Sequence, residues 1–257
     1  MKEVHIIGQG LAGTMLSMRL EEAGQAFKVI DQAHHSSSSR IAAGLANPVV
    51  LKRQKWVADA EQYLAEAPSF YRDWEQKLQS QFFHPVRLEH IFHNAGEIND
   101  WQANSEKPLL SNHLGAIINA EIPFIDQKHG RAQVEGIFWL DTVAFIEARK
   151  NDLRQKGLLV EEDYQNYQAP DNAIQVFCNG HFLRISHPNM AHAFSPTKGE
   201  VMIIKAPNLP EDRILHAGVF TLPLGNQTFK IGATYSHQDL SENTSQEGLD
   251  FLKQKLE

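Results

Sequence analysis

The residues of this chain best placed to do chemistry are three glycines and one acid near its start. They are Gly8, Gly10 and Gly13, in the run Gly8-Gln9-Gly10-Leu11-Ala12-Gly13, and Asp31. None is a nucleophile; what glycines at this spacing offer is bare backbone. Gly8 makes a tight turn, Gly10 leaves room for a phosphate to approach the main chain, and Gly13 lets a helix pack closely on a strand. A helix beginning there presents unpaired N–H groups and the positive end of its dipole to an anion. Asp31 lies 18 residues after Gly13. A carboxylate at that point can accept both hydroxyls of an adenosine ribose and would repel a 2′-phosphate, so NADP is disfavoured. The chemistry implied is the holding of a dinucleotide. The motif alone does not separate FAD from NAD.

Such residues must be positioned by a strand, a helix and a second strand, and the sequence supplies these in order. Val4-His5-Ile6-Ile7 is a short apolar run that reads as a buried parallel strand. Residues 14–23 carry Met15, Leu16, Met18 and Leu20 in a helical pattern, with Gly24 where a C-cap glycine belongs. Phe27-Lys28-Val29-Ile30 is the second strand, ended by Asp31. Further along, residues 56–83 read as one long helix or two broken at Pro68, and 88–92 as a strand entering a second region. Residues 142–156 read as a helix returning to the nucleotide fold. Strands are expected at 201–204, 219–222 and 229–232, and a last helix at 246–256.

Bulk properties narrow the classes. With 42% hydrophobic and 21% charged residues, the chain suits a globular protein with a real core. A net charge of −7 repels phosphate backbones, so no nucleic-acid partner is expected. The single cysteine, Cys178, leaves no intramolecular disulfide and no Cys-rich metal site, and suits a reducing cytoplasm. Cys178 lies in an apolar strand and reads as a small core residue. No run of about 18 apolar residues suggests a membrane span. The first strand begins at Val4, so no signal peptide is expected. Among 13 histidines, neither His90 with His93 nor His187 with His192 combines helix register with an acidic third ligand, so no metal is expected.

After Asp31 comes a polar, serine-rich stretch, His34-His35-Ser36-Ser37-Ser38-Ser39-Arg40, running into Ile41-Ala42-Ala43-Gly44-Leu45-Ala46-Asn47-Pro48. Hydroxyls and a guanidinium can bond phosphate oxygens, and small residues let backbone lie flat against a ligand. The order G-x-G-x-x-G, terminal acid, then S-x-x-A-A-G-L resembles the D-amino-acid-oxidase-like flavoproteins, which include glycine oxidase, sarcosine oxidase and the oxidase domain of a tRNA methylaminomethyl-modifying enzyme. Further segments extend the likeness: Gly136 to Thr142, Val176-Phe177-Cys178-Asn179-Gly180, Ser195 to Val201, Leu222 to Gly225 and Ile231-Gly232-Ala233-Thr234. The first and last of these are the most specific.

The resemblance implies an α/β fold: a Rossmann-type FAD-binding domain interleaved with a mixed or antiparallel-sheet substrate domain. Residues 1–83 and 141–194 would form the first, 84–140 and 195–240 the second, and 241–257 a C-terminal helix. It implies that Gly8, Gly10 and Gly13 hold the pyrophosphate and Asp31 the ribose. Ser39, Arg40, Ala43 and Gly44 would line the pyrophosphate and the flavin edge, Gly180 would let the chain pass the dinucleotide closely, and Val160 would neighbour the adenine. Some relatives attach flavin through a histidine just before A-x-G-L; Ile41 stands there and His34 and His35 are out of register, so FAD is expected to be non-covalent. The implied reaction is oxidation of a C–N bond in a small amine or amino acid by hydride transfer to flavin. No catalytic side chain is required. Tyr235, just past the I-G-A-T strand, is the one candidate to face the flavin, with an ordinary strand residue as the plainer reading. Lys52 and Arg53 read as a solvated charge pair that could reach a substrate.

The family's usual C-terminal continuation, with its substrate-clamping arginine, does not appear before Glu257. The alternatives are therefore a truncated, catalytically impaired FAD-binding protein, and an NAD-dependent dehydrogenase, which explains the first unit but not the A-A-G-L segment. A role on tRNA would rest on family analogy alone.

Overall fold

The computed structural model describes residues 2–32 and 37–256, so His34, His35 and Ser36 of the polar stretch lie outside the described residues. The chain divides into two compact units. The first comprises residues 1–42, 74–82 and 141–197, and the second residues 43–73, 83–140 and 198–257.

The first unit is built on a parallel sheet. Strand β1 (Val4–Ile7) is buried along its whole length, as its unbroken apolar run requires. The chain then forms helix α1 (Leu11–Glu22), strand β2 (Phe27–Ile30) and a one-turn helix α2 (Ser38–Ile41). Later it returns as helix α3 (Thr142–Gln155), strand β3 (Leu159–Val160) and strand β4 (Ile174–Phe177). The strand order is β3-β2-β1-β4, all parallel, with Val4 opposite both Phe27 and Ile174. Helix α1 starts at Leu11 rather than at residue 14, because extended Gly10 already serves as its N-cap and accepts the Thr14 amide. Helix α3 starts where Asp141 accepts hydrogen bonds from the amides of Val143 and Ala144. Val4, Ile6, Phe27, Val29 and Leu153 form the core between sheet and helices.

The second unit carries a seven-stranded mixed sheet. Its order is Val201–Lys205, Thr228–Gly232, Phe220–Gly225, Ile214–His216, Leu88–Ile91, Arg131–Val134, Leu114–Ile118. Every pairing is antiparallel except that of Ile214–His216 with Leu88–Ile91. A smaller sheet pairs Phe138–Leu140 with Leu45–Ala46 and Phe83–Pro85. Trp101, Phe92, Leu88, Ile214 and Leu222 belong to the core of the second unit. The α/β class, with one parallel and one mixed sheet, is the expected one.

Two local expectations differ from the structure. Residues 56–83 are not helical throughout: the helix is Ala60–Leu78 and runs through Pro68 without breaking. Trp56 pairs with Val49 in a two-stranded ribbon, and Phe83 begins a strand. Residues 43–73, expected with the nucleotide domain, cluster with the second unit, since Leu45 and Ala46 pair with Trp139 and Phe138 there. No helix among the described residues is long and apolar enough to cross a membrane.

Candidate nucleotide-binding site

A cavity of about 560 Å³ opens at the carboxyl ends of β1, β2 and β4, where Ile7, Ile30 and Phe177 contribute to its wall. In open parallel sheets ligands bind in this crevice. The turn between β1 and α1 forms one side. Gly8 has φ 97°, and a Cβ there would meet the Asn179 backbone at 3.0 Å. A Cβ on Gly10 would lie 2.9 Å from Ser39 Oγ. A Cβ on Gly13 would lie 1.9 Å from the Gly8 carbonyl oxygen, which no side chain survives. Two glycines therefore shape the crevice, and the third clamps α1 onto the turn beneath it.

Asp31 closes the β2 side. Its Oδ1 accepts the Gln9 amide at 3.1 Å, and its own amide donates to the Val160 carbonyl at 3.0 Å. Lys150 Nζ stands 3.6 Å from Asp31 Oδ2. Ser39 Oγ accepts the Leu11 amide at 3.0 Å, at the first turn of α1. Arg40, on the next position of α2, donates to the Glu147 carboxylate on α3. The cavity thus has a helix N-terminus, a hydroxyl, a guanidinium and a carboxylate around one mouth, the set a sugar diphosphate needs.

The wall also holds polar atoms that lack hydrogen-bond partners. Both the Nδ2 and Oδ1 of Asn179 are buried and unpartnered, as is Gln9 Oε1. An unsatisfied buried polar group costs about 1–3 kcal/mol. A polar ligand in the cavity would satisfy these atoms, so the residues present fit a dinucleotide.

No protein-family model matches the sequence. Solved structures do match in shape. Over 99% of this chain and 77% of theirs, it resembles glycine oxidase from Geobacillus kaustophilus (TM-score 0.74, 17% identity) and L-alpha-glycerophosphate oxidase from Mycoplasma pneumoniae with FAD bound (TM-score 0.68, 13% identity). L-proline dehydrogenase from P. horikoshii matches with TM-score 0.76 and 12% identity over 99% of this chain and 75% of its own. The chain has their fold.

Within that fold, the expected site residues fall into three groups. Gly8, Gly10, Asp31, Ser39, Arg40 and Gly180 all line the one cavity. Gly13 and Val160 are not among its lining residues; they support it from behind, Gly13 through the Gly8 carbonyl and Val160 through the Asp31 amide. Ala43 and Gly44 belong to the second unit, where their carbonyls accept hydrogen bonds from the Trp139 indole and the Leu140 amide, both at 2.9 Å. Tyr235 also belongs there and is 83% exposed. Lys52 and Arg53 are exposed on a short turn of the second unit. Cys178 is only half-buried: it packs on the strand core and also lines the cavity, and burial pushes its thiol pKa up.

Sequence reading missed Gln9, Tyr164, Phe182 and the role of Asn179 in the wall, and that of Lys150 behind it. Only Asn179 carried a signal, its place between Cys178 and Gly180. Among the described residues, no group of three or more His, Cys, Asp or Glu is arranged to hold a metal ion.

Proposed function

We propose that this protein is an oxidoreductase that holds FAD non-covalently in the crevice of its first unit. Its reaction would be oxidation of the C–N bond of a small amine or amino acid. The observation that carries the reading is the convergence of Gly8, Gly10, Asp31, Ser39 and Arg40 on one cavity, in a chain whose fold is shared by an FAD-bound oxidase and by glycine oxidase and proline dehydrogenase. Bound FAD would supply a two-electron acceptor for the hydride leaving the carbon beside nitrogen.

The chain's own residues do the binding. The Gly8–Gly13 turn and the α1 N-terminus face the diphosphate, with Ser39 and Arg40 on its other flank. Asp31 accepts the ribose hydroxyls. Gly180, with φ 59°, lets the chain leave β4 close to the ligand. Val160 and the following loop flank the adenine side. Asn179 offers the ligand one donor and one acceptor. Roles for Ala43, Gly44 and Tyr235 at the flavin belong to the same proposal. A cytoplasmic setting, which a single unpaired cysteine suits, accompanies it.

Titration of the purified chain with FAD, followed by flavin fluorescence, tests the cofactor. Anaerobic addition of glycine, proline, other small amines and glycerophosphate tests the substrate class. Saturable FAD binding and loss of the flavin's visible absorption with amines support the proposal. Binding of NAD in place of FAD, or bleaching by glycerophosphate and not by amines, overturns it.

A further inference from the structure

Helix α3 grips the nucleotide turn at two points one helical turn apart. The Ile146 carbonyl accepts Gln9 Nε2 at 3.1 Å. Four residues on, on the same helical face, Lys150 directs its ammonium at Asp31 Oδ2, 3.6 Å away. The Gln9 amide in turn binds Asp31 Oδ1 at 3.1 Å. Gln9, Asp31, Lys150 and Ile146 therefore close a ring that fixes both oxygens of the Asp31 carboxylate from opposite sides.

The lysine is an unusual member of that ring. Its side chain is only 5% exposed, and a buried ammonium is expensive unless paired. Its ion-pair partners are Asp31 and Glu161, the latter at 3.4 Å. Glu161 is 45% exposed and already takes both Nη2 and Nε of Arg154, at 2.8 and 3.3 Å. Glu161 thus has a guanidinium of its own, whereas Lys150 reaches Asp31 from the helix behind the turn. A carboxylate oxygen accepts more than one hydrogen bond, so an ammonium behind Asp31 leaves capacity for hydroxyl donors in the cavity.

We infer that Lys150 is a positioning residue for adenosine: by holding the Asp31 carboxylate in place, it sets the preference of the site for a nucleotide bearing both ribose hydroxyls. The inference rests on the dinucleotide reading above. It goes further in assigning ribose discrimination to a lysine that does not line the cavity.

Calorimetric titration of the full chain with ADP and with 2′,3′-dideoxy-ADP tests it, since the two differ only in the groups Asp31 would bind. The wild-type protein should prefer ADP by about tenfold or more, as expected for hydrogen bonds to a charged acceptor. Lys150→Met should cut that preference to about twofold while leaving dideoxy-ADP affinity unchanged, and Lys150→Arg should restore most of it. Lys150→Gln, which keeps a polar head at the position, replaces Lys150→Met if the latter does not fold. A variant that keeps the wild-type preference, or one that loses affinity for both nucleotides equally, overturns the inference and leaves the dinucleotide reading standing. Wild-type protein that binds neither nucleotide overturns both.

Discussion

A side chain of any size on Gly13 would collide with the carbonyl of Gly8, since the nearest approach of a Cβ to that oxygen is 1.9 Å. The contact is backbone to backbone, so no rotamer change relieves it. Gly13→Ala should therefore force α1 away from the turn. We expect a loss of about 1–3 kcal/mol in urea denaturation, with FAD binding weakened further than stability because the turn itself is displaced. A Gly24→Ala control, with open space around its Cβ, tests the backbone conformation alone, and should cost only about 1 kcal/mol.

Asn179 has a different balance. Its amide is buried with neither atom bonded, so Asn179→Leu removes a cost and little else. Stability should stay level or rise by roughly 1 kcal/mol, while FAD affinity falls by about tenfold. Thermal denaturation with and without FAD separates the two effects. A variant that is less stable yet binds FAD normally would show that Asn179 serves the fold.

Arg149 marks the opposite case, a fully buried cation whose three nitrogens all donate. Nε and Nη2 donate to Ser17 Oγ and Ser17 O at 3.0 Å, and Nη1 to Glu21 at 2.7 Å and to Asp152. The side chain is 0% exposed and its guanidinium lies 4.9 Å from the Trp74 ring centroid. Arg149→Met removes the guanidinium's bonds to Ser17, Glu21 and Asp152, leaving the two acids with Lys156 as a cationic partner, and should cost about 3 kcal/mol. Arg149→Lys cannot reproduce the planar fork and should recover only part of that. Denaturation midpoints check both.

Acid should loosen the second unit through a histidine pair. His90 Nδ1 and His216 Nδ1 are 3.0 Å apart, so one ring must donate and the other accept, and the pair is intact only while at least one is neutral. Burial and the neighbouring His90 and His93 lower the His216 pKa to about 4, with Glu97 opposing the shift; burial also lowers that of His90. A folded pKa below the unfolded value of 6.5 means the native state binds fewer protons between those limits. The contribution of His216 is thus fully present above pH 6.5 and lost as pH falls toward 4, by on the order of 3 kcal/mol. Urea midpoints should drop across that window, and His216→Phe should flatten the drop.

Much of the candidate nucleotide site was legible because its signals are local. The strand, the glycine turn, the helix and Asp31 fall within the first 31 residues, and each depends on near neighbours: an apolar run, a bare Cα, a cap. The elements of the second unit were less legible. Strands Arg131–Val134 and Leu114–Ile118 were not anticipated, and Pro68 offered a helix break that the fold does not use. Short mixed-sheet strands take their stability from partners far along the chain, so their own residues report them weakly.

By itself, then, the sequence determined that residues 4–31 make a strand, a glycine turn, a helix and a second strand ended by Asp31, because an apolar run, bare backbone and a helical pattern act on near neighbours. Tertiary structure alone decided what stands behind the turn. The meeting of Gln9, Asp31, Lys150 and Ile146 joins α3 to a loop more than a hundred residues earlier, and the placement of residues 43–73 follows from pairing with Phe138–Leu140. Such contacts depend on strand register and on the angle at which a helix crosses the sheet, quantities that periodicity and composition do not encode.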